Sequence, residues 1–135
     1  MDCYLIALLA ICTWREARGE GQEGMRAVAH VIRNRVHAGW GDWDDVITKK
    51  NQFSSISLAG DSQLLVWPDD DDASFRLVFE MCKSVLSGLD DDVTNGALYY
   101  ANLKNTTSGW FLNNIVGRPL EHPITVKIGR HTFFK

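Results

Sequence analysis

Apolar residues with helical spacing dominate the first third of the chain. Residues 3–18 are apolar on nearly every side, which is typical of a helix surrounded by other elements, and Gly19 is expected to end this helix. From Gly24 a second helix is patterned on one face, since its apolar positions recur at spacings of 3, 4, 7 and 11. That face comprises Met25, Val28, Ala29, Ile32 and Val36, while Arg26, His30, Arg33 and His37 occupy other faces.

The later segments predict shorter elements and a small sheet. Asp42 is placed to cap a short helix, and residues 75–86 form an amphipathic helix that follows four aspartates and is closed by Gly88. Residues 96–101 fit either a strand or a buried helix. The alternating residues 124–128 and 131–134, separated by Gly129 and Arg130, predict a β-hairpin. Helices first and a small sheet late predict an α+β fold.

Length and charge limit the classes of function. The chain has 135 residues, 45% of them hydrophobic, and we expect one domain spanning 1–135. Its net charge of -3 gives no bulk attraction to nucleic acid. The arginines of the second helix, Arg26, Arg33 and Arg35, are therefore interpreted as a solvated or ion-paired face, and no nucleic-acid partner is expected.

The apolar start of the chain is predicted to be a core helix. Residues 3–11 follow Asp2, not a basic segment, and are fewer than the roughly 20 residues that span a bilayer. We therefore expect neither a cleavable signal peptide nor stable membrane insertion, although a signal or membrane segment remains the alternative. The odd number of cysteines, Cys3, Cys12 and Cys82, favours buried thiols over a disulfide framework.

Several chemistries lack their sequence signals. There is no HExxH, and the four histidines have no ligand-like spacing, so no metal or cofactor is expected. There is also no GxSxG elbow, and Cys12 falls inside an apolar helix where its thiolate is disfavoured. The runs 69–72 and 90–92 of aspartates are interpreted as a helix start and a solvated turn.

Carboxylate chemistry remains, and it points to the stretch WREARGEGQEG at residues 14–24. Glu16 closes the apolar helix, where partial burial and the helix dipole would raise its pKa and keep it protonated as a general acid requires. Glu20, four residues on, could share the same cleft. The alternative is an ion pair of Glu16 with Arg15, Arg18 or Arg35, and Glu23 is explained by the dipole of the next helix.

The motifs resemble those of one family, the cell wall hydrolases typified by the spore cortex-lytic enzyme SleB and its relative CwlJ. The resemblance rests on EARGE at 16–20 followed by GMRAVAHVIRNRV at 24–36, which is a specific combination, and on shorter pieces in the same order. Those pieces are QFS at 52–54, GALYY at 96–100 and IGRHTF at 128–133.

The resemblance implies a lysozyme-like α+β fold and cleavage of the β-1,4 bond between N-acetylmuramic acid and N-acetylglucosamine in peptidoglycan, with Glu16 as the catalytic acid. A short catalytic domain without an export signal is what a phage endolysin would look like. We therefore expect a monomer made in the host cytoplasm that acts on the wall.

Two products are possible from such an acid. If Glu16 acts alone, the C6 hydroxyl closes a 1,6-anhydro ring, as in a lytic transglycosylase; if Glu20 activates water, the enzyme is a muramidase. Gln52, Ser54, Tyr99, Tyr100 and Trp110 are candidate substrate-binding residues, while Arg35 and His131 are expected to be structural. A glycan-binding module and a stem-peptide amidase or peptidase are the competing classes.

Overall fold

The fold is mainly helical, with a small sheet formed by the second half of the chain. A computed structural model describes residues 2–49, 52–53, 56 and 58–135. Its helices are α1 (Cys3–Ala17), α2 (Gly21–His37), α3 (Trp43–Thr48), α4 (Ala73–Leu86) and α5 (Gly109–Phe111), and its strands are β1 (Tyr99–Ala101), β2 (Ile124–Ile128) and β3 (His131–Phe134). Short 3₁₀ helices occupy Arg18–Glu20 and Ser62–Leu65, and a π-helical turn, Leu112–Val116, continues α5.

Helix α1 lies at the centre of the helical layer, as its all-round apolar pattern predicts. It packs against α2, α3 and α4. Leu9, Ala10 and Cys12 are fully buried along it. The described residues contain no helix that combines the length and hydropathy needed to cross a bilayer.

Helix α2 is buried on two sides, which its sequence pattern did not predict. The predicted face, including Met25 and Ile32, packs into the main core with α1. A second face formed by Ala27 and Val31 packs against Phe133 of the sheet. His30, expected on a polar face, has no exposed surface at all. Helix α2 therefore connects the helical layer to the sheet.

The sheet confirms the predicted hairpin, and of residues 96–101, for which strand and helix were both open, Tyr99–Ala101 form a strand. It has three antiparallel strands in the order β1-β3-β2. Ile128 pairs with His131 across a two-residue turn, in which Gly129 has a φ of 58°. A glycine with positive φ at the first turn position is the arrangement of a type II′ hairpin.

The predicted helix starts are also confirmed. The Asp72 carboxylate accepts a hydrogen bond from Phe75 N at 2.9 Å and caps α4. Asp42 and Asp45 form a capping box at the start of α3. The aspartate run 69–72 thus contributes a helix cap, which satisfies a backbone donor that would otherwise be unpaired.

Two of the three cysteines are buried, as expected, and one is not. Burial raises the pKa of Cys82 to about 12 and that of Cys12 well above its ordinary value. Cys3, in the first turn of α1, is exposed, which corrects the prediction for that residue. The buried thiols are poor nucleophiles because the thiolate is the reactive form.

Candidate active site

An open cleft of about 790 Å³ lies where the helical layer meets β1. The ends of α1, α2 and α3 form one side of it, and β1 with the segment leading to α5 forms the other. The residues that line it are Glu16, Arg35, Trp40, Lys49, Gln52, Phe53, Tyr99, Tyr100, Ala101, Thr106, Ser108, Trp110 and Phe111. Four residues predicted from the sequence to bind substrate are among them, together with the predicted acid.

Glu16 lies in the last turn of α1, half-buried between the buried residues Arg15 and Ala17. Burial raises the pKa of Tyr100, and the negative charge of Glu16 raises it further. The same charge adds to the effect of burial on the Cys12 thiol, one turn earlier in the helix. Glu16 and Tyr100 thus line the same cleft, and the carboxylate charge disfavours ionisation of the phenol.

The arginines beside Glu16 are engaged with other groups. Arg15 Nε donates to the carbonyl oxygen of Val66 at 3.0 Å, and its guanidinium stacks on Trp67. The guanidinium of Arg18 lies 4.3 Å from the centre of the Trp14 ring. These contacts turn both cations toward main-chain and aromatic partners on the helical side of the fold.

Arg35 is the lining residue whose functional position the sequence analysis missed. It is 6% exposed, and its Nε donates to the carbonyl oxygen of Leu98 at 2.8 Å. The guanidinium also lies over the rings of Trp40 and Phe53, at 5.1 and 5.4 Å. Burial lowers the pKa of Arg35, but the group remains a cation because an arginine titrates far above neutral pH.

Gln52 lines the cleft beside this cation. Its Oε1 accepts a hydrogen bond from Arg35 Nη1 at 3.3 Å, and its main-chain N–H donates to the carbonyl oxygen of Lys49 at 3.2 Å. Phe53, which follows it, is buried. Ser54, the other polar residue predicted here, lies outside the described residues.

Tyr99 and Tyr100 both line the cleft, although they are neighbours on one strand. Tyr99 packs against Trp40 and His122, with ring centres 5.5 and 5.2 Å apart. Tyr100 stacks on Phe133 and makes an edge contact with His131. Packing against these neighbours holds each ring in place, while another part of the ring lines the cleft. Both tyrosines therefore combine a structural and a surface role.

Trp110 is 62% exposed, which leaves much of its ring open to solvent. It lies in α5, capped by Ser108, whose hydroxyl accepts from Phe111 N at 3.2 Å. The side-chain amide of Asn114 donates to the carbonyl oxygen of Trp110 at 2.9 Å. An exposed indole on a fixed backbone, in a polar cleft, is suited to stacking on a sugar ring.

The structure does not bring Glu20 into the cleft with Glu16. Its Oε1 accepts from Arg130 Nε at 2.7 Å, and its Oε2 accepts from Arg130 N at 3.2 Å. Hydrogen bonding by Arg130 lowers the pKa of Glu20. A Cβ on Gly129 would come within 2.5 Å of the Glu20 carboxylate and displace it, and the φ of 58° itself favours glycine there. Glu20 ties the hairpin turn to the start of α2.

Residues 90–92 were predicted to be a solvated turn, but only Asp91 is exposed, while Asp90 and Asp92 are partly buried. Asp90 accepts from Arg26 and lies 2.6 Å from His30 Nε2. Asn34 donates to Asp92 at 2.9 Å and to the carbonyl oxygen of Ala97 at 3.0 Å. We call this group the α2 brace: Arg26, His30 and Asn34 with Asp90 and Asp92. It accounts for His30 and Asn34 of the AVAHVIRNR motif by tertiary contacts.

Comparison with known families places nearly the whole chain in one group. The sequence profile described as Cell Wall Hydrolase matches residues 19–134. The match begins just after Glu16 and includes the other residues that line the cleft.

Curated relatives are spore cortex-lytic enzymes of spore-forming bacteria. That of Oceanobacillus iheyensis is 32% identical over 133 residues, which cover 96% of this chain and 41% of the relative. That of Halalkalibacterium halodurans is 32% identical over 130 residues, covering 95% of this chain and 34% of the relative. The chain thus spans well under half the length of these relatives.

Two solved structures have the same fold. The catalytic domain of the germination-specific lytic transglycosylase SleB from Bacillus anthracis is 28% identical, with a TM-score of 0.74, and the match covers 100% of this chain and 97% of that one. The catalytic domain of the Bacillus cereus SleB protein is 29% identical, with a TM-score of 0.73 and coverage of 100% and 92%. Both superpositions include Glu16.

Proposed function

This chain belongs to the cell wall hydrolase family, and from that premise we propose that it is a peptidoglycan lytic transglycosylase. The bond cleaved is the β-1,4 linkage between N-acetylmuramic acid and N-acetylglucosamine, and the product carries a 1,6-anhydro ring. The relatives named for lytic transglycosylase or cortex-lytic activity support this class of reaction.

One observation favours transglycosylation over hydrolysis: Glu16 is the only carboxylate among the described residues that line the cleft. Hydrolytic glycosidases generally use two carboxylates, one as acid and the other as base or nucleophile. The second acid predicted from the sequence, Glu20, is occupied by Arg130 at the hairpin turn. A single carboxylate suits a reaction in which the substrate supplies its own nucleophile.

Glu16 performs both proton transfers in the proposed mechanism. Its protonated carboxyl donates to the glycosidic oxygen as the bond to C1 of the muramic acid breaks, and the N-acetyl group stabilises the positive charge at C1. The resulting carboxylate then accepts the proton of the C6 hydroxyl as that oxygen bonds to C1. No water is consumed, and Glu16 returns to its protonated form.

The walls of the cleft fit an extended glycan strand. Tyr99, Tyr100 and Trp110 present aromatic surface, and Gln52 and Arg35, which line the same cleft as Glu16, carry hydrogen-bond donors. Sugar rings bind through this combination of apolar faces and polar edges.

The test is the chemistry of the products. Purified peptidoglycan is digested with the wild type, Glu16→Gln and Glu20→Gln, and the soluble fragments are identified by mass spectrometry. Anhydro-muropeptides are expected from the wild type and from Glu20→Gln, and no fragments from Glu16→Gln. Undiminished release by Glu16→Gln would remove the assignment of the acid.

The other candidate functions give different products. Reducing-end sugars that disappear in Glu20→Gln would identify a muramidase with Glu20 as the base. Free stem peptides would identify an amidase or peptidase, and binding without release would identify a glycan-binding module.

The use of this activity in host lysis stays a prediction. We expect the protein to degrade isolated walls but to lyse intact bacteria only after their membrane has been permeabilised. A turbidity assay on intact and on chloroform-treated cells tests it; equal lysis of both would argue against an enzyme that waits for membrane breach.

A further inference from the structure

The side-chain amide of Gln52 has its orientation fixed by chemistry. A guanidinium contains only donors, so the atom facing Arg35 Nη1 at 3.3 Å must be the carbonyl oxygen Oε1. The amide nitrogen Nε2 then points away from Arg35. Within the described part of the chain, Nε2 donates to no acceptor, and the side chain is exposed in the cleft.

Arg35 itself has little freedom to turn. Its Nε donates to the carbonyl oxygen of Leu98, and its guanidinium lies over the rings of Trp40 and Phe53, at 5.1 and 5.4 Å from their centres. Only 6% of the residue is exposed. Because the Arg35 guanidinium is fixed and holds Gln52 Oε1, the N–H groups of Gln52 Nε2 point in one direction. A donor with a fixed direction can select a ligand that places an acceptor there.

We propose, on the basis of the proposed function, that Gln52 Nε2 donates to the carbonyl oxygen of a substrate N-acetyl group and that the enzyme therefore distinguishes acetylated from de-N-acetylated glycan. Arg35 acts as the positioning residue. Amide carbonyl oxygens are strong acceptors that offer no competing donor, unlike sugar hydroxyls.

The charges of the cleft strengthen this selection. Removing the acetyl group from a wall sugar leaves an ammonium, which has donors only and a positive charge. The described cleft carries two cations, Arg35 and Lys49, against the one carboxylate of Glu16. The ammonium of a de-N-acetylated sugar would thus face the N–H of Gln52, which is also a donor. It would also be repelled by the positive charges of Arg35 and Lys49.

Binding to intact walls tests the inference separately from cleavage. The Glu16→Gln protein is mixed with native peptidoglycan and with the same material after enzymatic de-N-acetylation, and the bound fraction is titrated. Affinity for the native wall should be higher. Adding Gln52→Glu, which keeps an acceptor for Arg35 but replaces the donor with a carboxylate, should lower it about five- to tenfold.

The same substitution should remove the difference between the two walls, because a carboxylate at position 52 accepts from the ammonium. Gln22→Glu makes the same chemical change on an exposed residue in the first turn of α2 and should alter neither affinity. Arg35→Lys keeps the charge but loses the planar group, and it should lower the ratio of the affinities for the two walls. The unfolding midpoint of the same variant, measured in parallel, shows that the fold is retained.

Three outcomes would overturn the proposal. Unchanged discrimination in Gln52→Glu would show that Gln52 does not contact the acetyl group. An equal loss on both walls would assign the acceptor to another carbonyl, such as that of the lactyl group. A wild-type cleft that binds both walls equally would exclude the selection, while anhydro-muropeptides released from native wall would still support the proposed function.

Discussion

Helix α2 contributes neighbouring residues to the cleft and to the α2 brace, but the polar groups of the two regions differ in their hydrogen-bond partners. In the brace, Asn34 donates to Asp92 and to the main chain, and His30 contacts Asp90 with no exposed surface. In the cleft, Arg35 holds Gln52, whose amide nitrogen has no partner within the described residues. The brace pairs most of its polar groups within the protein, although His30 Nδ1 has no hydrogen bond among the described residues, and the cleft keeps a donor available.

The difference shows that a motif has to be interpreted residue by residue. Successive positions of a helix point about 100° apart, so RNR at 33–35 faces different surroundings at each residue. The same holds for EARGE, in which Glu16 lines the cleft and Glu20 fixes the hairpin turn. Variants in the two regions should therefore fail in different ways.

The largest effect is expected from Glu16→Gln. Loss of the general acid should lower the rate of fragment release by about 10²- to 10⁴-fold, while the thermal unfolding midpoint changes little, since an amide fits the same space. Glu23→Gln, at an exposed glutamate that pairs with Arg26, is the matched control and should keep full activity. Activity loss with a large drop in stability would blur the comparison.

The reverse pattern is expected from Asp90→Ala in the brace. Its removal leaves Arg26 and the buried His30 without their shared acceptor, which should cost about 2–4 kcal/mol in the free energy of unfolding. Urea titration followed by tryptophan fluorescence measures this cost. The protein that remains folded should cleave at the wild-type rate, and Asp91→Ala at the exposed neighbour should be almost neutral.

A smaller effect on the cleft side is expected from Trp110→Ala. Because the ring is 62% exposed, its loss removes little packing within the fold but removes a stacking surface for sugar, worth about 1 kcal/mol or a fivefold rise in KM. Initial rates at several concentrations of solubilised glycan separate KM from kcat. An unchanged KM would place the glycan elsewhere.

Glu20→Gln should have a modest effect on stability and none on the kind of product. The amide keeps an acceptor for the N–H of Arg130 but loses the charge, and an ion pair whose arginine is 67% exposed contributes about 1 kcal/mol or less. Differential scanning calorimetry would detect the change. A loss of activity as large as that of Glu16→Gln would bring Glu20 back into the mechanism.

Acid should weaken the structural region through Glu20 and Asp92. Hydrogen bonds from Thr94, Asn34 and Gly96 together outweigh burial and lower the pKa of Asp92, and Arg130 lowers that of Glu20. A carboxyl with a lowered pKa stabilises the fold above its ordinary pKa, near 4, and loses this contribution as the pH falls through the folded-state value. Unfolding midpoints measured from pH 6 to 3 should fall less steeply in Asp92→Asn.

Much of the local structure could be predicted from sequence. The helix over residues 3–18, the cap at Asp42 and the turn at Gly129 depend on contacts within a few residues, and each is confirmed, although Cys3 and Tyr4 at the start of α1 are exposed. The family and the α+β fold are also confirmed. The catalytic role of Glu16 stays a prediction that its position in the cleft supports.

The buried polar positions were harder to predict. His30 follows the pattern of a polar helix face, and Asp90 and Asp92 that of a surface turn, so the full burial of His30 and the partial burial of the two aspartates were missed, whereas Arg35 was expected to be structural. The sequence did contain one indication of this burial. Arg26, His30 and Asn34 follow one another at spacings of four and share one side of α2, and the run of aspartates elsewhere in the chain offers them partners.

The sequence by itself determined the four longer helices, the hairpin and the family, because these depend on short-range hydrogen bonds, apolar periodicity and a specific motif; it did not predict the short helix α5 or the start of α2 at Gly21, three residues before the expected one. Only the tertiary structure decided which carboxylate lines the cleft. Arg35 reaches Leu98 across 63 positions, and Glu20 reaches Arg130 across 110. Such contacts depend on how α1, α2 and the sheet pack together. The spacing of residues along the chain does not indicate which distant segments will meet.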